Sequence, residues 1–341
     1  MNHICLGPDR YLFCDLFIAR DRVVFVSMIY PDIEIDFAAI RCHCLGGCFS
    51  FGQIHVHRVY ESSVVGMLDD PRIAEHLAAN GALEVTIQYR DIWKAFVLRK
   101  ETLRPCALSM FTLFRRDAYL LESWIDYYRL KGVEQFYLYY NGPLREIRKW
   151  MERFQGQPVS FIEWSYRHRI RNYDRTKLVA PELVKNHHHA QVTAIHDCIH
   201  RYGPFTEWLG MFDLDEYVLC DDLRGFTARF DPGTTHSIWF SGVWAEADGV
   251  DKHRLTWPDL RQSTIRVSPV SYRYPRRGKN IVNPRNILNC GIHDVTNPAP
   301  GTRVVHAERS FLHFYMFSAR DRGRGTWACP QLAAEAGYAL G

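Results

Sequence analysis

The chain contains no uninterrupted apolar run of about 18 residues or more, the length a membrane-spanning helix needs. Its longest early apolar stretch, Val23 to Tyr30, is broken by Ser27 and bounded by Asp21-Arg22 and Pro31-Asp32. No basic start leads into an apolar segment with a small-residue cleavage site, so a secretory signal is not expected. No charge sign dominates: 42 Lys and Arg against 38 Asp and Glu leave +4, too mild a field for a nucleic-acid partner. Repeats and low-complexity tracts are missing, and so is any paired C-x₂-C of a structural zinc site. The ten cysteines, without an export signal, read as reduced thiols in a cytoplasmic protein.

What is present is ordinary globular material with one excess. Apolar residues make up 47% and charged residues 23%, which excludes wholesale disorder. Aromatics reach 14%, with 20 Phe, 18 Tyr and 9 Trp, enough to bury much ring surface or to stack on sugars. A length of 341 residues favours two domains.

Residues 1–104 hold short apolar runs between turn signals, among them Val23-Val24-Phe25-Val26 and Leu83-Glu84-Val85-Thr86-Ile87. They predict a smaller β-rich N-terminal domain, with one helix from Pro71 to Asn80 closing on Gly81. From residue 105 to 317 strand and helix alternate. Ala107 to Phe114 predicts a buried strand. After Asp117, a helix carries Leu121, Trp124, Ile125 and Tyr128 on one face and ends at Gly132. Strands at 135–140, 159–164 and 208–212, with helices at 144–154 and 188–202, predict an α/β domain. Its sheet is expected to be mostly parallel and flanked by helices. Residues 318–341 read as a C-terminal tail.

The fourth predicted strand runs into Asp213-Leu214-Asp215-Glu216. On an extended backbone alternate residues point the same way, which would put Asp213 and Asp215 on one face at the sheet edge where ligands bind. Two such carboxylates repel, and a divalent cation, Mg²⁺ or Mn²⁺, relieves this while clamping a diphosphate. A turn with solvated carboxylates is the plain alternative.

The segment Phe114-Arg115-Arg116-Asp117-Ala118-Tyr119-Leu120-Leu121-Glu122-Ser123-Trp124-Ile125-Asp126-Tyr127-Tyr128 resembles the opening of family 92 glycosyltransferases and their GT-A relatives. Gly132 to Asn141, Ala190-Gln191, Asp197-Cys198, Phe212 to Tyr217, and Lys279 to Pro284 followed by His293 are similar to later pieces in the same order. The resemblance covers roughly residues 106–317. It implies a GT-A-like domain that moves a sugar from a nucleotide-diphosphate donor, first of all a UDP-sugar, to a hydroxyl of a glycan, with inversion. It further implies that Asp213 touches the donor ribose or the metal, and that Asp215 and His293 are metal ligands. Asn141 and Gln191 would face the donor, although an Asn-Gly turn and a helix-surface Gln are equally ordinary.

Several further residues are weighed against plainer readings. Glu246 and Asp248 follow the strand predicted at 237–243 and are candidates for the general base, with Glu216 next. Lys279 and Arg285 are candidates for the diphosphate, although Arg276-Arg277-Gly278-Lys279 also reads as an exposed charged loop. His187-His188-His189 cannot converge on one ion from a helix, where successive residues point about 100° apart. Cys42-His43-Cys44 with Cys48, His55 and His57 reads as buried strand thiols before it reads as a zinc site. Rival functions are a non-catalytic glycan- or nucleotide-binding protein and a metal-dependent phosphoesterase. Homo-oligomerisation is left open.

Overall fold

A computed structural model describes residues 1–30, 33–58, 61–168, 189–247, 265–271 and 278–314. The segment 318–341 and residues His187, His188, Asp248, Arg276 and Arg277 lie outside the described residues.

Two compact units emerge. The first comprises Met1–Pro105, Trp164–Phe205 and Leu288–Ile292; the second comprises Cys106–Glu163, Thr206–Ile287 and the chain from His293 onward.

In the first unit the strands are β1 (Ile4–Gly7), β2 (Arg10–Phe13), β3 (Asp15–Ala19), β4 (Arg22–Met28), β5 (Arg41–Cys44), β6 (Gly47–Ser50), β7 (Gly52–Arg58), β8 (Glu61–Leu68), β9 (Ala82–Tyr89) and β10 (Ile92–Arg99). They form two antiparallel four-stranded sheets, ordered β10-β9-β5-β6 and β3-β4-β8-β7, with β1 and β2 as a separate pair. The helix α1 (Pro71–Asn80) has the expected bounds. Asp70 accepts the Arg72 N–H at its start, Pro71 needs no partner in the first turn, and Gly81 closes it at φ 67°.

The second unit contains β11 (Cys106–Phe114), α2 (Leu121–Leu130), β12 (Gln135–Tyr140), α3 (Arg148–Arg153) and β13 (Val159–Glu163). The chain then supplies α4 (His189–Arg201) to the first unit, where it lies against β4 and β8 and buries Val192, Ile195 and Ile199. It returns with β14 (Thr206–Met211), β15 (Glu216–Val218), α5 (Leu223–Thr227), β16 (Thr235–Ala247), β17 (Ile265–Ser271), β18 (Lys279–Val282), β19 (Ile287–Cys290), β20 (Val295–Pro298) and β21 (Arg303–His313).

The main sheet has nine strands in the order β13-β12-β11-β14-β18-β16-β21-β15, with β17 beside β16. It is a mixed sheet, which corrects the mostly parallel one expected. The four strands β13, β12, β11 and β14 are parallel, and a helix separates each from the next in sequence. Beyond β14, β18 runs antiparallel to both β14 and β16, β17 antiparallel to β16 and β15 antiparallel to β21. Among the described residues the only helix of this later part is the five-residue α5, too short for a crossover.

The aromatic excess goes largely into the cores. Trp124, Tyr128, Phe136, Phe212, Tyr217, Phe240 and Phe311 belong to one buried cluster of the second unit. The helix face read from the sequence is the buried one, since Leu121, Trp124, Ile125 and Tyr128 are all fully covered.

Candidate functional site

The site is built where β14 ends. The chain leaves the sheet at Phe212, and the Glu216 N–H donates to the Asp213 carbonyl at 3.0 Å, closing a turn over Leu214 and Asp215. The backbone is therefore not extended here, and the two aspartates take different partners. Asp213 Oδ2 accepts from Lys279 Nζ at 2.8 Å. Asp215 Oδ2 lies 3.3 Å from His313 Nε2.

Glu216 sits between them. Its Oε2 accepts the Asp213 N–H at 2.8 Å and lies 3.0 Å from Lys279 Nζ. Its Oε1 is 4.0 Å from His313 Nδ1. Register explains the arrangement. Glu216 pairs directly with His313 across the β15–β21 ladder, so their side chains share a face. Asn280 pairs with Met211 of β14 on one side and Trp239 of β16 on the other, which brings the preceding Lys279 to the end of β14.

Helix α2 holds the short strand β15 in place. The Tyr128 hydroxyl donates to the Glu216 carbonyl at 2.9 Å and accepts the Val218 N–H at 3.2 Å. Tyr127 donates to the Val218 carbonyl, and Tyr217 is within 3.1 Å of Ser123 Oγ. A three-residue strand thus gains the order of the helix beside it.

Burial grades the charges. Lys279 and Glu216 are 4% and 2% exposed. The Asp213 side chain is 40% exposed and that of Asp215 13%. Burial pushes the Glu216 carboxyl up to about 7, with the Lys279 ammonium pulling it back. For Lys279 burial disfavours the charge, but Asp213 and Glu216 more than offset this and hold it above the usual lysine range. His313 is likewise raised, burial being outweighed by Asp215.

Asp215, Glu216 and His313 each offer a ligand atom, and those atoms lie within 4.8 Å of one another. Two carboxylates and an imidazole form a donor set suited to Mn²⁺, and the carboxylates alone would also take Mg²⁺. Lys279 engages two of the carboxylates, Asp213 and Glu216, while Asp215 pairs with His313. The group differs from the expected Asp213, Asp215 and His293. His293 instead donates from Nδ1 to the Gly278 carbonyl at 3.0 Å. Burial and then the Lys279 charge push it down to about 4. His313 was not singled out from the sequence; its only local signal is a histidine ending an apolar strand, Phe311-Leu312-His313.

The remaining candidates lie on several different elements. Asn141 follows β12, is 3% exposed, and its N–H donates to Phe114 at 2.8 Å. Gln191 lies in α4, which belongs to the first unit. Glu246 is on β16 with its backbone paired to Arg266. Arg285 is exposed, its N–H donating to Asn283 Oδ1. His189 opens α4. In β5, Cys42 and Cys44 point into the core, while His43 points the other way with Nε2 2.8 Å from Gln88 Oε1 and 3.9 Å from Cys48 Sγ. Strand alternation therefore divides these soft ligands between two faces. Among the described residues the nine cysteines form no disulfide.

Residues 104–327 match the family model described as glycosyltransferase family 92. Galactan beta-1,4-galactosyltransferase GALS2 of Arabidopsis thaliana is 22% identical over 214 residues, which are 55% of this chain and 40% of that protein. The chain thus matches less than half the length of that relative. Two solved structures align at a TM-score of 0.31: HddC from Yersinia pseudotuberculosis, 10% identical over 60% of this chain and 92% of its own, and 4-diphosphocytidyl-2C-methyl-D-erythritolsynthase from Anaerococcus prevotii, 11% identical over 59% and 87%. At that score neither supports an argument about this fold. Among the described residues no helix is long and apolar enough to cross a membrane.

Proposed function

Since the chain belongs to glycosyltransferase family 92, we propose that it transfers a sugar from a nucleotide-diphosphate donor to a hydroxyl of a glycan, with inversion and with a divalent cation at the acidic turn. The observation that carries the cation is the convergence of Asp215, Glu216 and His313 at the end of β14. The similarity to a galactan galactosyltransferase makes UDP-galactose the first donor, and a β-1,4-galactan the first acceptor, to be tried.

Asp215, Glu216 and His313 would hold Mn²⁺ or Mg²⁺. Such an ion supplies Lewis-acid stabilisation of charge on a departing nucleoside diphosphate. Asp213, the most exposed of the three carboxylates, would accept a hydrogen bond from a donor ribose. Glu216 is unsuited to be the general base, because it is buried and its Oε2 already takes two donors. That role would fall to Glu246 or Asp248, either of which would take the acceptor hydroxyl proton as its oxygen attacks the anomeric carbon.

The test is transfer from radiolabelled UDP-galactose to galactan oligosaccharides with Mn²⁺, with EDTA, and with Asp215→Asn. Transfer that requires Mn²⁺ and is lost in the variant supports the reading. Full activity in EDTA would remove the cation, and no turnover with a panel of nucleotide sugars would remove the donor class.

A further inference from the structure

Lys279 was expected to approach the diphosphate, yet its surroundings indicate a different task. The side chain is buried, and its ammonium is engaged by Asp213 Oδ2 at 2.8 Å and Glu216 Oε2 at 3.0 Å. Two of its three donor directions are therefore directed at carboxylates within the protein. The backbone under it is fixed from both sides, since β18 lies between β14 and β16, with Lys279 itself paired to Phe240. Gly278 tightens this further: an added Cβ would lie 1.9 Å from Trp239 Cε2, so the chain passes directly over the indole.

Glu216 divides its two oxygens. Oε2 receives Lys279 and the Asp213 N–H. Oε1 is the oxygen on the His313 side. A carboxylate is rigid and planar, so two donors converging on one oxygen from different directions set where the other points. The same ammonium draws Asp213 towards β18, while Asp215 faces His313.

We propose that Lys279 is a positioning residue: it anchors Glu216 through Oε2 so that Oε1 is presented with Asp215 and His313 as a cation ligand, and it keeps Asp213 out of that ligand set. The inference rests on the reading that these three residues hold the divalent ion. The competing role is that Lys279 is a stand-in cation, which a metal ion must displace. The two differ in sign. An organiser aids metal binding, and a competitor opposes it.

The experiment is Mn²⁺ titration of the full chain, read from loss of the free-ion electron paramagnetic resonance signal, for the parent, Lys279→Met, Glu216→Gln and the double variant. Partners that orient a metal ligand typically change affinity by about 10–100-fold, and a loss of that order is expected for Lys279→Met. Because Lys279 would act through Glu216, the double variant should bind Mn²⁺ as Glu216→Gln alone does, neither more weakly nor more tightly. If Lys279→Met does not fold, the comparison of Glu216→Gln with the double variant, which removes both members of the buried pair, still decides the question. Equal or tighter binding by Lys279→Met would overturn the inference, as would a double variant that binds Mn²⁺ more tightly than Glu216→Gln or shows a full additional loss. A parent chain that binds no Mn²⁺ would overturn the cation reading itself, and that outcome is visible without any variant.

Discussion

Glu216 and His313 stand directly opposite each other in the antiparallel pairing of β15 with β21, although they are 97 positions apart in the chain (313 − 216 = 97). The ladder register places an imidazole beside the acidic turn, and helix α2 holds the register through Tyr127 and Tyr128. A unit with few helices among its described residues thereby gains a rigid base for three candidate ligands.

His313→Ala should lower Mn²⁺ affinity by about 10-fold or more, because it removes one of the three converging ligand atoms. Calorimetric metal titration paired with a thermal melt checks this. His293→Ala should change the metal titration less than His313→Ala does, because His293 is not one of the three residues whose ligand atoms converge. A larger effect at His293 than at His313 would exchange their roles.

Gly278→Ala should destabilise the second unit, because the new methyl would meet Trp239 at 1.9 Å. Overpacking in a dense core costs about 1–3 kcal/mol, and a clash with a ring held in a sheet belongs at the upper end. Urea unfolding followed by tryptophan fluorescence measures it. An unchanged midpoint would mean that the strand can lift from the indole.

In the first unit, Arg201 bonds Asp15, lies 3.2 Å from Glu101 and 3.6 Å from Asp197, and stacks over Phe17. Asp15 and Asp197 are 1% and 0% exposed. Arg201→Met should cost about 3–5 kcal/mol, because two buried carboxylates lose that partner. Denaturant unfolding of the full chain tests this, and a loss below about 1 kcal/mol would show that other groups compensate.

His196 gives the first unit a pH dependence. It is fully buried in α4, with Nδ1 2.5 Å from Ser63 Oγ and Nε2 2.8 Å from the Cys290 carbonyl oxygen. Burial, aided by His200, lowers its pKa to about 3. Above the ordinary value of about 6.5 neither state binds the proton. Between there and about 3 the unfolded chain binds it and the folded chain does not, so stability falls as pH falls, by roughly 3 kcal/mol at pH 4. Unfolding curves at pH 7 and pH 4 measure the loss, and His196→Gln should flatten it. An equally steep dependence in that variant would assign it to other groups.

Much of this protein follows from local pattern alone. The helix face of Leu121, Trp124, Ile125 and Tyr128 follows from helical periodicity, and α1 follows from Asp70, Pro71 and Gly81, each of which acts on its own few residues. The four parallel strands were legible for the same reason, as apolar runs separated by helices. So was the acidic turn, because Asp213-Leu214-Asp215-Glu216 interrupts an apolar strand. Tertiary structure decided what period and spacing do not encode. Only the β15–β21 register brings His313 to Glu216, and only the lodging of β18 between β14 and β16 gives Asp213 to Lys279. Only packing sends α4, with Gln191, into the first unit. The physical reason is common to all three: strand pairing and helix docking are contacts between segments far apart in sequence, fixed by which buried faces fit together.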